Sequence, residues 1–526
     1  MSQNDDIIYQ KNANLKPTES IRRAGTKNIL ISVCVAAATY YSLILIAKQF
    51  GASLGSDAYF FLSSLANLAS GIIGSLLGTV FLPAFIKLLT KSDKSVAYSF
   101  ASSIFSWCLV ITIIIAFPIF ICNEQFFLHA SRFNATQLSH IYPLLIYFAP
   151  IFLIGVLSEF FRVIALSIGK FSTAAIAAIF PPFFLIIFIL LFGENLHEES
   201  LIASLLLAKF IGLIMLVTVV CMEGIRIRFI LAKNQHTFRF IKSSVPYWSA
   251  NAVTNAAIFY FDYQASGLGA GIVTALAYAN RIYMLPIVVF LNPILEISRV
   301  KFSQMQSEAN HVAFSTYYNN LLRLSVYFSV PIAALYLTFS QEIISAMFQR
   351  GAFQAENVKV ASSCLSIYAW SIPFVTIFMV NGRACESYQK LLWPSVFGTA
   401  GNLIMIVTTM VLSNLLGYKG IPMAKVAIDV IYLLPFGFVA IKLFGGSPQF
   451  GQVIKTLVES LAALIPAVIL FTIDFDSTYN GPPFSLWLLI FCVIKFIVIY
   501  NISLILISSK IRYDLKILFQ HRPLKL

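Results

Sequence analysis

Among the ionisable residues that interrupt long apolar stretches of this sequence are Glu159, Arg162, Lys209, Asp262, Arg281, Lys425, Asp429 and Lys495. A charge held deep in hydrocarbon costs several kcal/mol, so each such residue is either paired or functional. Glu159 and Arg162 are three apart, and Lys425 and Asp429 four apart, which places each pair on one helix face where the partners satisfy each other. Lys209 and Lys495 have stems long enough to snorkel toward an interface. Arg281 differs: its neighbour is Asn280, and no carboxylate lies within a helical turn. A guanidinium so placed either meets a ligand anion, for which a phosphate matches its planar fork, or reaches Asp262 on another helix.

The elements carrying these residues are set by hydropathy. The chain has 526 residues, 59% of them hydrophobic and only 11% charged, and its mean hydropathy is +0.84. Crossing about 30 Å of hydrocarbon at about 1.5 Å per residue takes roughly 20 apolar residues. About fourteen stretches meet that requirement. The expected fold is an all-α polytopic membrane protein with about 14 transmembrane helices, arranged as two pseudo-symmetric six-helix lobes plus two C-terminal helices.

The net charge of +14 would suggest nucleic acid in a soluble protein, but here its placement is topological. The tails and alternate loops carry about 25 Lys and Arg, the opposite loops about 4. Lys11, Lys16, Arg22, Arg23 and Lys27 mark the N-terminus as cytoplasmic; Arg226, Arg228, Lys233, Arg239 and Lys242 mark the connection after the sixth span. Lys510, Arg512, Lys516, Arg522 and Lys525 do the same for the C-terminus, and anionic phospholipid headgroups are the expected partners. Both ends inside requires an even number of spans. The first 27 residues are polar and no cleavable signal peptide is expected. The seven cysteines lie in or beside apolar spans without a CxxC pair, as inert buried thiols do.

The expected organisation is a cytoplasmic tail over 1–27, a first lobe over 28–223, a basic linker over 224–242, a second lobe over 243–442, two further helices over 443–508 and a tail over 509–526. The linker mixes Ile225, Ile227, Phe229 and Ile230 with its basic residues. Small-residue turns echo one another: Gly51-Ala-Ser-Leu-Gly-Ser-Asp57 leads into the second span, and Ser266-Gly-Leu-Gly-Ala-Gly271 into the eighth. Repeated halves suit a carrier that binds its substrate near the midplane. Gly74 and Gly78 form a GxxxG pattern that favours close helix packing. Pro150, Pro181, Pro182, Pro246, Pro286, Pro293, Pro331 and Pro373 interrupt spans and permit bends.

Three motifs carry a family resemblance. The stretch Ala265-Ser-Gly-Leu-Gly-Ala-Gly-Ile-Val-Thr-Ala-Leu-Ala-Tyr-Ala-Asn-Arg-Ile-Tyr-Met-Leu-Pro286 strongly resembles a signature of the MurJ (MviN) lipid II flippases. So do Phe50-Gly-Ala-Ser with Asp57-Ala-Tyr-Phe-Phe, Asn67 and Pro83, and Met347-Phe-Gln-Arg-Gly-Ala-Phe-Gln-Ala-Glu356. The family belongs to the multidrug/oligosaccharidyl-lipid/polysaccharide (MOP) exporter superfamily. The resemblance implies a flippase of the bacterial inner membrane that carries a polyprenyl-diphosphate-linked saccharide outward by alternating access. It also implies that the last two helices flank a groove for the polyprenyl tail. The sequence departs from the family in its cavity: Ser42, Ser70 and Gly71 stand at expected arginine positions, and Asn280 replaces the acidic neighbour of Arg281.

On this reading Arg281 anchors the diphosphate, Arg162 adds a second cationic contact, and Asn67, Asn251, Asn255 and Asn280 are polar substrate contacts. Asp262, Asp57, Glu159 and Lys209 are the coupling or gating candidates, with no metal site or cofactor and a monomer as the expected state. The alternatives are an exporter of another amphipathic molecule and a non-transporting envelope scaffold. An enzyme acting on the same lipids is disfavoured, because the outer loops are short and hold only scattered His129, His140 and His197. No GxxxxGK[ST] loop is present to couple ATP hydrolysis.

Overall fold

The computed structural model describes residues 18–91, 94–231, 235–308, 310–387, 392–433, 450–478 and 486–508. Lys11, Lys16, Lys233 and the five basic residues of 509–526 lie outside the described residues, as does 434–449, into which the expected second lobe ran. Every regular element among the described residues is a helix. In chain order these are α1 (Thr18–Phe50), α2 (Leu54–Leu76), α3 (Leu82–Lys91), α4 (Lys94–Ile121), α5 (Asn123–Ala130), α6 (Ala135–Leu145) and α7 (Phe148–Ser167). There follow α8 (Phe171–Ala177), α9 (Phe180–Leu196), α10 (Glu199–Met222), α11 (Gln235–Ser266), α12 (Ile272–Pro286), α13 (Asn292–Ser307) and α14 (His311–Phe348). The last are α15 (Ala355–Ala369), α16 (Ile372–Ser387), α17 (Leu392–Leu416), α18 (Gly420–Ile431), α19 (Phe450–Thr478) and α20 (Leu486–Ile507).

Ten described helical segments are long and apolar enough to cross a membrane, or eleven if α15 and α16, which meet at 49°, are counted as one broken span. The ten do not match the expected fourteen one for one. Val396–Ile431 runs two expected spans together across a 3-10 turn at Gly417–Lys419. The last helix, Leu486–Ile507, is 22 residues long and matches the expected final span. The expected outer loop over Ser340–Glu356 is helical as far as Phe348. The break in α14 falls at Phe339, eight residues beyond Pro331.

The chain divides into two compact units. The first comprises residues 1–46, 62–127 and 138–251; the second comprises 47–61, 128–137 and 252–526. Phenylalanines make the core of the first. The Phe81 ring stacks on Phe85 at 5.3 Å and Phe100 at 5.5 Å and packs against Phe160 at 5.7 Å, all essentially without exposure. The segment after α10 is strapped along α4: Ser102 and Ser106, one turn apart, accept the backbone N–H groups of Arg228 (3.0 Å) and Ile230 (2.8 Å). Ile225 is buried beneath the strap, while Arg226 and Arg228 are exposed.

Both units contain the same irregularity. A five-residue π-helical turn, Leu77–Phe81, separates α2 from α3, and a second, Ile287–Leu291, separates α12 from α13. Each turn is followed by one residue and then a proline, Pro83 or Pro293. A proline has no N–H to donate and its ring crowds the carbonyl four residues back, so the helix widens to relieve the clash. Gly78 lies in the first of these turns and a side chain there would meet open space, so only Gly74 of the GxxxG pair makes a close approach.

The second unit has a tight knot at one end, built from glycines. Gly271 has φ +85° and a Cβ on it would come within 2.6 Å of the Ala52 carbonyl oxygen. Gly51 (φ +61°) and Gly351 (φ +54°) face the backbones of Ala352 and Lys48 in the same way. Gly271→Ala is expected to destabilise the protein by at least the roughly 1–2 kcal/mol of a left-handed non-glycine residue, read as a lower melting temperature in detergent. An unchanged melting curve would show that this approach is not maintained.

Candidate functional site

The knot brings together the three sequence motifs. The fully buried Tyr278 ring stacks on Phe348 at 4.5 Å and packs edge-on against Phe353 at 5.3 Å and Phe60 at 5.6 Å, so one aromatic residue of the central motif touches the other two. Beside it, Asp57 is fully buried and caps α12. The Gly271 N–H donates to Asp57 Oδ2 at 2.5 Å, and the Thr274 N–H and hydroxyl donate to Oδ1 at 2.8 and 2.6 Å. A helix N-terminus presents unsatisfied N–H groups and a partial positive charge, and a carboxylate answers both. Asp57, a gating candidate from the sequence, therefore holds a helix end. Thr274 was not legible as its partner, although it lies in the central motif. Arg132 also joins the knot: its N–H donates to Ser266 Oγ at 2.8 Å and its guanidinium to Gln264 Oε1.

From this end α12 carries Asn280 and Arg281 as exposed residues. Arg281 is the tenth residue of the 36-residue apolar segment Ile272–Ser307, about 13 Å along the axis from its start. On α11, Asn251 and Asn255 are one turn apart and partly buried, as is Asp262. Asn402 of α17 reaches this helix through Thr254 Oγ1 at 2.8 Å. Asn67 is exposed on α2.

Lys425 and Asp429 pair as their spacing predicts, Nζ lying 2.5 Å from both carboxylate oxygens. What the spacing could not show is the third partner. Ser371 Oγ donates to Asp429 and also bonds the buried Tyr283 hydroxyl at 2.9 Å, tying α12, the α15–α16 bend and α18 together. A buried cation was missed by sequence reasoning: Arg323 of α14, 3% exposed, donates to Thr456 Oγ1 of α19 at 3.3 Å.

In the first unit the structure gathers Glu159, Arg162 and Lys209. Arg162 Nε donates to Glu159 Oε2 at 2.9 Å, and one Nη forms an ion pair with the same oxygen at 2.7 Å. Lys209 comes from mid-helix in α10 and does not snorkel outward. Its Nζ lies 3.6 Å from the point where a Cβ on Gly155 would sit, and Ser70 Cβ lies 3.9 Å from that point. Glu159 lies one helical turn beyond Gly155, so its carboxylate and the Lys209 ammonium share one face of α7. Gly74 opens the space on the other side: its Cβ would stand 3.1 Å from Glu159 Oε2. Glycines on α2 and α7 thus admit three charged groups between the helices.

A family model described as lipid II flippase MurJ matches residues 46–491. The chain is 23% identical over 501 residues to a probable lipid II flippase MurJ of Aquifex aeolicus, covering 90% of this chain and 92% of that protein. It is 22% identical over 380 residues to the Rickettsia prowazekii counterpart, covering 69% and 73%. Among solved structures, a lipid II flippase MurJ in an inward closed conformation is similar in fold, with a TM-score of 0.77 at 19% identity over 93% of this chain and 99% of that one. An inward-facing MATE multidrug transporter of the MOP superfamily has a TM-score of 0.67 at 14% identity over 79% and 99%. The family match does not favour the other amphipathic exporter or the scaffold.

Two stability experiments follow from this geometry. Asp57→Asn sets an amide donor against the α12 N–H groups, and a loss of about 1–3 kcal/mol is expected, measured by thermal unfolding in detergent. Lys425→Met is expected to cost about 3–5 kcal/mol by stranding Asp429, and the double change Lys425→Met/Asp429→Leu is expected to recover much of it. Equal melting temperatures for single and double variants would contradict the pairing.

Proposed function

This chain belongs to the MurJ lipid II flippase family, and we propose on that footing that it translocates a lipid II-class substrate, a polyprenyl-diphosphate-linked saccharide, from the inner to the outer leaflet. The movement is alternating access within a multi-pass membrane protein, with both termini cytoplasmic, in the bacterial inner membrane, and involves no covalent step. Its product would supply peptidoglycan assembly.

Arg281 carries this reading. It is a guanidinium exposed within a long apolar segment, beside an asparagine, and a diphosphate accepts its fork of donors with charge assistance. Arg162 supplies a second cationic contact. Asn67, Asn251, Asn255 and Asn280 have the donors and acceptors that saccharide hydroxyls require. Asp262, Asp57, Glu159 and Lys209 are the coupling or gating candidates, with Asp57 acting at the N-terminus of α12. The exposed Arg226 and Arg228 of the strap face anionic headgroups at the cytoplasmic surface.

Arg281→Ala is expected to abolish lipid II translocation in proteoliposomes while expression and melting temperature stay at wild-type values. Normal translocation by this variant would remove the anchor role.

A further inference from the structure

The charge cluster of the first unit has features of a working site. Glu159 and Arg162 are 28% and 38% exposed in their side chains, so the pair is accessible. Arg162 meets a single carboxylate oxygen, donating to Glu159 Oε2 through Nε while one Nη only pairs with that atom by charge, so its outer fork is not filled by a second acceptor among the described residues. That is poorer than a fork-to-fork pairing, in which each oxygen takes its own donor. The cluster also holds two cations and one carboxylate. Lys209 lies roughly 15 Å or more from either end of α10, a depth at which an ammonium needs an anion. One carboxylate cannot fully serve both cations.

We propose that Glu159, Arg162 and Lys209 form an anion-exchange site: Glu159 is a resident counter-ion that gives up Arg162 to an incoming diphosphate and turns to Lys209. A diphosphate carries more charge and more acceptor oxygens than a carboxylate, and it fills the guanidinium fork bidentately. The glycines make the exchange sterically possible. Gly74 leaves the Glu159 carboxylate room to move, and Gly155 leaves the Lys209 ammonium an open approach. The ligand exchanges one salt link for another and strands no buried charge, because Lys209 receives the displaced carboxylate. The proposal rests on the flippase reading and adds to it a displaceable internal competitor.

The test is a binding titration of the full-length protein in nanodiscs with lipid II and, separately, with inorganic pyrophosphate. Glu159→Gln removes the competitor and is expected to tighten lipid II binding by about threefold to tenfold. Arg162→Gln is expected to weaken it by at least that factor and to cancel the gain when combined with Glu159→Gln. Weaker or unchanged binding by a Glu159→Gln protein of wild-type melting temperature would overturn the proposal. Should Glu159→Gln not fold, the charge-balanced Glu159→Gln/Lys209→Met variant carries the same expectation of a gain, and no gain there overturns it equally. A gain seen with lipid II alone assigns the lipid-borne diphosphate, and a gain with pyrophosphate as well assigns the diphosphate group irrespective of its carrier. Wild-type protein that binds no lipid II would instead defeat the flippase reading.

Discussion

The Asp57 carboxylate at the N-terminus of α12 is the interaction on which the second unit depends. It takes three hydrogen bonds while fully buried, and a buried carboxylate is tolerated only when so satisfied. The bonds come from the first turn of the helix that carries Asn280 and Arg281. The direction in which α12 leaves the knot, and hence where its guanidinium stands, is set by this cap and by Gly271, whose left-handed backbone lets the chain pass against Ala52. Tyr278, one turn beyond Thr274, locks the same helix against Phe348 and Phe353.

The paired π-helical turns give each unit the same local widening of a long helix. Pro83 and Pro293 occupy equivalent places after Leu77–Phe81 and Ile287–Leu291. A long membrane helix widened ahead of a proline keeps most of its backbone bonds within the segment. This recurrence supports the internal echo first visible in the small-residue turns at 51–57 and 266–271. Both turns contain glycines at positive φ, a backbone requirement that small-residue composition alone does not demonstrate.

The positions at which the family resemblance implies arginines hold small residues whose hydrogen bonds stay within their own helices. Ser42 is buried with its hydroxyl turned back to the Thr39 carbonyl, and Ser70 bonds the Ala66 carbonyl of its own helix, so neither serves as a polar stand-in for an arginine. The cation near the Ser70 position comes instead from Lys209 on α10, reaching across Gly155. Small residues on α2 and a long cationic side chain on α10 are complementary parts of one arrangement, although nothing in their spacing along the chain links them.

Hydropathy alone established a helical membrane protein, because hydrocarbon admits only backbones whose hydrogen bonds are satisfied within the segment. Spacing alone established the Glu159–Arg162 and Lys425–Asp429 pairs, because residues three or four apart must share a helix face. The motifs around Asp57, Tyr278 and Phe348 were legible as a family signature but not as neighbours. Which element Asp57 caps, which hydroxyls complete the Lys425–Asp429 pair, and which cation shares Glu159 were decided only by tertiary structure. Those contacts join residues 88 or 217 positions apart in the Tyr283–Ser371 and Asp57–Thr274 bonds. Local periodicity carries no information at that range; packing, and the need to satisfy every buried polar group, supplies it.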